Sequence, residues 1–159
     1  MSYMNNQVRK GDIIYIPINP SKYRGSGKIV CRSSWEKIFC SWSDNNPAVV
    51  EWSSEPFGIP YIDKTSRDKK GLPKRRSYYP DFLCKITNSQ GILDTWLIEV
   101  KPSSQCKPPS KRGNKSNKTM IYESKAWAVN QSKWQSAEQL CKKRGWKWKI
   151  LTEKQLIKR

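Results

Sequence analysis

The sequence predicts a single domain of mixed α/β class, and three observations carry that reading. Two strand-like segments, Tyr78–Thr87 and Ile92–Val100, flank the turn-forming Asn88-Ser89-Gln90-Gly91. Apolar residues recur at helical spacing after Ser33 and again over 121–143. At 159 residues the chain has room for one core and little for a second.

The elements follow in order. Residues 1–30 read as an irregular basic arm, with one edge strand in Ile13–Ile18 interrupted by Pro17 and Pro20. Residues 31–159 form the domain proper. Its first helix opens at Ser33, a good N-cap with Glu36 at the third helical position, the reciprocal capping-box spacing. Trp35, Ile38, Phe39 and Trp42 share one face, and Asp44-Asn45-Asn46-Pro47 ends the helix. Ala48–Ser53 alternates like a strand, Pro56 closes it, and Ile59–Ile62 forms a second short one. Residues 63–77 read as a basic loop, and Pro102–Thr119 as a mobile basic loop over the site. The long helix spans 121–143, with Trp127, Asn130, Trp134, Ala137 and Cys141 as its stripe and Gly145 as its stop. Trp146–Leu151 is a strand, and Thr152 with Gln155 is a capping box for a short last helix.

The turn between the two clearest strands sets their register. Asn first and Gly fourth favour a type I turn with Gly91 in the left-handed conformation of a G1 bulge. Asn88 then faces Ile92, and counting outward places Asp81 opposite Glu99. A two-residue loop would oppose Asp81 to Ile98 and put it on the other face.

Composition narrows the chemistry. Lys and Arg outnumber Asp and Glu by 31 to 13, a net charge of +18, which calls for a polyanionic partner. DNA or RNA fits better than a membrane surface, because no basic amphipathic helix with a strong apolar face is visible. No apolar run reaches a membrane span and no signal peptide opens the chain, so a soluble, non-exported protein is expected. The five cysteines are scattered without a C-x-x-C pair and read as reduced thiols, as in a host cytoplasm. There is no histidine, which removes Ser-His and Cys-His nucleophilic catalysis and most catalytic zinc sites.

Hydrolytic chemistry therefore falls to carboxylates, lysine and a bound cation. Glu99 and Lys101 share a strand face about 6–7 Å apart. Asp81 across from Glu99 would repel it unless something positive lies between them. Mg²⁺ (or Mn²⁺) suits such hard oxygen ligands, with Asp81 and Glu99 holding it, helped by the Val100 carbonyl. Lys101 orients the attacking water or neutralises charge on the phosphate. Glu36 completes the site or holds a second cation. Glu55 is a further metal-proximal candidate, and Asn130, Gln131 and Lys133 are candidate phosphate contacts. Phosphate-backbone binding by DNA is expected at Lys69, Lys70, Lys74, Arg75 and Arg76 in one loop. Lys107, Lys111, Arg112, Lys115 and Lys118 do the same in the other.

Pro80-Asp81 with Glu99-Val100-Lys101 resembles the motif of the PD-(D/E)xK nuclease superfamily, and within it the head-completion nucleases of contractile-tailed bacteriophages. Further blocks carry the likeness: Arg32-Ser33-Ser34-Trp35-Glu36, Ile59-Pro60-Tyr61, Asn130-x-x-Lys133-Trp134 and the closing Gly145-Trp146 to Leu151-Thr152-Glu153. The Tn7-type transposase endonuclease subunit has a similar layout. The resemblance implies a restriction-endonuclease-like fold, a mixed sheet flanked by helices with the metal on one edge. It also implies a metal-dependent DNA endonuclease that finishes DNA-filled heads, in the host cytoplasm or with the virion, with head or neck proteins as partners. Two alternatives stand beside it: a non-catalytic DNA-binding or head-structural protein on a nuclease fold, and a transposase-type endonuclease subunit.

Overall fold

The computed structural model describes residues 7–157; the first six residues of the expected arm lie outside them. A four-stranded sheet is built from β3 (Val49–Ser54), β6 (Phe82–Thr87), β7 (Leu93–Val100) and β8 (Lys147–Leu151), in the order β3-β6-β7-β8. The first two pairings are antiparallel and β7–β8 is parallel, so the sheet is mixed, as expected. The helix α2 (Asn117–Arg144) makes the crossover that a parallel pair requires.

The two faces are covered differently. On one, α1 (Ser34–Asn45) lays Phe39 and Cys40 onto Trp52, Phe82, Cys84, Ile98 and Val100. The Phe39 and Phe82 rings lie 4.6 Å apart, and burying such a side chain contributes roughly 1.5–3 kcal/mol. On the other face, Leu97 packs with Ala137 and Cys141 of α2 and with Ile59, Tyr61 and Tyr78. Those last three belong to a separate two-stranded ribbon, β4 (Ile59–Arg67) with β5 (Pro73–Tyr78).

The hairpin register expected from the turn is the one observed. Thr87 pairs with Leu93 and Phe82 with Ile98, so Asp81 and Glu99 come next, opposite each other. The Asn88 N–H donates to the Ile92 carbonyl (2.8 Å), the Asn88 side chain accepts from the Gln90 and Ile92 N–H groups, and Gly91 takes φ +75°. Alternation then sends Phe82, Ile98 and Val100 to the α1 face, and Leu97 with Glu99 to the α2 face.

Several expectations need correction. The segment 63–77 is no loop: it completes the β4–β5 ribbon, closed by an Asp68 carboxylate that accepts from the Lys70 and Leu72 N–H groups. Tyr78 ends β5 instead of opening the next strand, because Tyr79-Pro80-Asp81 carries the chain from ribbon to sheet and Pro80 has no N–H to pair. The loop 102–119 contains a 3-10 turn at Ser103–Cys106, and α2 begins at Asn117 with Ser116 as its cap, which puts Lys118 on a helix.

The stretch before residue 31 carries β1 (Ile13–Tyr15), paired antiparallel with β2 (Ile29–Cys31), and a 3-10 turn at Pro20–Lys22. It is anchored on Asp44, fully buried near the end of α1, which accepts from the Tyr15 hydroxyl (2.7 Å) and from the Ile18 and Asn19 N–H groups (2.7 and 2.9 Å). Lys22 Nζ donates to the Asp44 and Asn46 carbonyls (2.9 and 2.8 Å), placing a cation at the negative end of the helix. The closing α3 (Glu153–Leu156) has its capping box. No helix among the described residues is long and apolar enough to cross a membrane.

Candidate active site

The end of the sheet where β6 begins and β7 finishes opens onto a cleft of about 420 Å³. Glu99 lines it from β7, Ser77, Tyr78 and Tyr79 from the end of the ribbon, and Lys133 from α2. Asp81 stands across from Glu99, partly buried, and its Oδ2 accepts the Val100 N–H (2.7 Å). Lys101 Nζ lies 3.6 Å from Glu99 Oε1, while the Tyr78 hydroxyl donates a short hydrogen bond to Glu99 Oε2. Lys133 Nζ hangs 5.7 Å from the ring centres of both Tyr61 and Tyr78.

Lys101 is held from both sides. Its N–H donates to the Leu151 carbonyl (2.9 Å) across the parallel pair. Two residues on, the Ser103 N–H (2.8 Å) and hydroxyl both donate to the Glu153 carboxylate at the start of α3. The C-terminal element thereby fixes where the chain leaves β7.

The electrostatics are unusual for carboxylates. Asp81 is pushed well above its usual range, first by burial and then by the charges of Glu99 and Glu36. Glu99 is raised by burial, against the opposing pull of Lys101, Tyr78 and Lys133. Glu36 is raised by burial too, in spite of hydrogen bonds from Arg32 and Ser33, with Glu55 and Glu99 adding to the push. Tyr78 is raised by burial and by Glu99, and Lys133 is lowered by burial and by Lys101. Three carboxylates thus feel one another at one end of the sheet, a condition that a cation relieves.

Glu36 reaches this cluster from α1 in a way its cap spacing did not show. Ser33 Oγ accepts from the Glu36 N–H (3.2 Å), but Glu36 Oε2 accepts from the Arg32 N–H (2.9 Å), one residue before the cap. Glu55 sits beside it, its carboxylate 4.0 Å from Arg32 and its N–H donating to the Asp81 carbonyl (2.8 Å). Its φ of +45° is a left-handed backbone that a non-glycine residue adopts at a cost, as residues at functional sites often do.

Other candidates are placed less centrally. Of the sequence candidates, Glu55, Glu99 and Lys133 line the cleft, whereas Glu36, Asp81, Lys101, Asn130 and Gln131 are absent from the lining. Arg76 is tied to Asp63 (2.9 Å) and Lys115 to Glu123 (3.0 Å), so each has less charge to offer a phosphate than expected. Lys69, Lys70, Lys74 and Arg75 are exposed on the ribbon, Lys107, Lys111 and Arg112 on the loop, and Lys118 on the first turn of α2. Sequence reasoning missed Tyr78, Arg9 and Arg32 as cleft residues. Tyr78 adjoins the motif and was within reach of inspection; nothing local marks Arg9.

The donor set fits a hard divalent cation. Asp81 and Glu99 would supply carboxylate oxygens and Val100 a carbonyl. Among the described residues no three acidic or thiol side chains gather closely enough to cage an ion by themselves.

Comparison with known proteins bears on the same residues. The family described as TnsA-like endonuclease N terminal matches residues 46–153, a span that includes Asp81, Glu99 and Lys101 and leaves out Glu36. The head completion nuclease of Enterobacteria phage T4 is 38% identical over 143 residues, covering 87% of this chain and 89% of that protein. With a matched span that takes in the whole four-stranded sheet, this chain belongs to the TnsA-like endonuclease family.

Proposed function

We propose that this chain is a divalent-cation-dependent deoxyribonuclease that acts in completing phage heads after DNA packaging. One observation carries the chemistry: Asp81 and Glu99 oppose each other across the β6–β7 hairpin, with Lys101 Nζ 3.6 Å from Glu99. The biological setting rests on the likeness to the phage T4 head completion nuclease.

Asp81, Glu99 and the Val100 carbonyl would hold the cation, and Glu36 would complete the site or hold a second one. The bound ion would supply Lewis-acid stabilisation of the phosphate and lower the pKa of water beside it. The protein does the rest. Lys101 orients the attacking water or balances the charge that grows on the non-bridging oxygens. Tyr78 keeps Glu99 from swinging away, and Lys133 adds positive charge on the cleft wall. Water adds its oxygen to phosphorus, the bridging P–O bond breaks, and the departing oxygen leaves with a proton.

The test is Mg²⁺-dependent nicking or cutting of plasmid DNA by the wild type, lost in Asp81→Ala and Glu99→Ala while both still bind DNA. Should both variants bind DNA and still complete heads, the chain binds or builds without catalysing, and this reading fails.

A further inference from the structure

The β4–β5 ribbon does more than cover α2. Its inner face holds Tyr61 and Asp63 against the helix, and Arg76 is spent on Asp63. Lys64, Arg67, Lys69, Lys70, Lys74 and Arg75 are all exposed. None of these six pairs with a carboxylate among the described residues. The tip is held in shape, not loose: the Asp68 carboxylate accepts from Lys70 and Leu72, the Asp68 N–H donates to the Leu72 carbonyl (2.8 Å), and Gly71 takes φ +78°. Leu72 stands 58% exposed on it, without a place in either core.

The other end of the ribbon is the cleft itself, since Ser77 and Tyr78 line it. Seven residues from Leu72 to Tyr78, at about 3.4 Å each, set the tip roughly 20–24 Å from the reacting centre. Along a duplex at about 3.4 Å per step, that distance is six or seven base pairs. A stiff two-stranded ribbon with a cationic tip and outer edge matches the major groove, which is about 12 Å wide and flanked by phosphates.

We propose that the ribbon is a duplex-gripping arm that needs at least about six base pairs of continuous duplex on one side of the cut. This rests on the reading of the cleft as a nuclease site. A single strand lacks the paired phosphate rails at this distance and meets only the cleft.

The test measures binding and cutting separately, with the full chain. Without divalent cation, fluorescence anisotropy reads affinity for a 20-base-pair duplex, a 20-nucleotide single strand, and duplexes whose flank shortens stepwise. The wild type should favour the duplex at least tenfold and lose that preference when the flank falls below about six pairs. Lys69→Ala, Lys70→Ala and Lys74→Ala together should weaken duplex binding at least tenfold, lower the log–log salt slope by about three, and leave single-strand binding within about twofold. A second variant that replaces residues 66–72 by a short Asn-Gly turn should act alike, with circular dichroism confirming the fold. Equal affinity of wild type for single strand and duplex, or a triple variant that binds duplex as the wild type does, overturns the inference. Binding that depends on the tip in a protein that cuts nothing with Mg²⁺ leaves the arm standing and removes the nuclease reading instead.

Discussion

Asp44 is fully buried and Asp81 partly so, and their surroundings act on these two carboxylates in opposite directions. Asp44 sits at the far end of α1 among donors: the Tyr15 hydroxyl and the Ile18 and Asn19 N–H groups. Burial alone would raise it, yet those hydrogen bonds outweigh burial and hold it below the usual carboxylate range. Asp81 has one N–H donor, from Val100, and faces Glu99 and Glu36, so it is driven up. The same side chain is thus structural where the fold surrounds it with N–H and O–H groups. Its pKa is driven up where the fold surrounds it with its own kind. A carboxylate short of donors, beside others, is the feature that marks the candidate site.

Breaking either partner should expose this contrast. The largest effect is expected on cleavage: Asp81→Asn or Glu99→Gln should lower the rate of plasmid cutting by at least about 10²-fold, since each removes oxygen charge from the site. Neither should melt more than a few degrees below wild type, because the repulsion goes with the charge. A variant that lost the fold as well would make Asp81 resemble Asp44, and the contrast would collapse.

Asp44→Ala should do the reverse, leaving three donors without a buried acceptor at a cost of about 3 kcal/mol or more, read by denaturant unfolding. Its pH dependence has a definite sign. Asp44's folded-state pKa lies below its unfolded value of about 3.9, so its stabilisation is complete above that value and lost as pH falls through the folded one. The stability gap between wild type and Asp44→Ala should therefore be full above about pH 5 and shrink below about pH 4.

A cation sharpens the comparison from the other side. Mg²⁺ at about 100 times its Kd should stabilise wild type by about 2.7 kcal/mol in thermal unfolding, and Asp81→Asn by little. Asp44→Ala should keep the full increment, since its lost carboxylate lies away from the ion. Lys22→Ala should cost about 1 kcal/mol by leaving the last carbonyls of α1 without their cation. Smallest of all, Glu55→Gly should gain up to about 1 kcal/mol by relieving the left-handed backbone, where Glu55→Ala gains none.

The parts legible in the sequence are those whose causes lie within a few residues. Asn88 and Gly91 dictate the turn, the turn dictates the register, and the register opposes Asp81 to Glu99. Ser33 and Thr152 cap their helices, and Gly145 stops α2 in the left-handed conformation. The ribbon was hidden because half of its alternation is charged, so 63–77 looks like a loop. Only α2, more than fifty residues on, supplies the surface against which Tyr61 and Asp63 become an inner face.

Asp44 likewise read as a residue that ends a helix, because its ligands come from residues 15–19 and nothing near it announces them. Local chemistry alone determined the hairpin, its register and the pairing of the two acids, since backbone sterics and turn hydrogen bonds act over short stretches of chain. Tertiary structure decided which acid is lowered and which is raised, that Tyr78 and Lys133 come to Glu99, and that the basic stretch pairs as a ribbon. Those outcomes depend on burial and on charges carried by distant segments, and both arise only once the chain has folded.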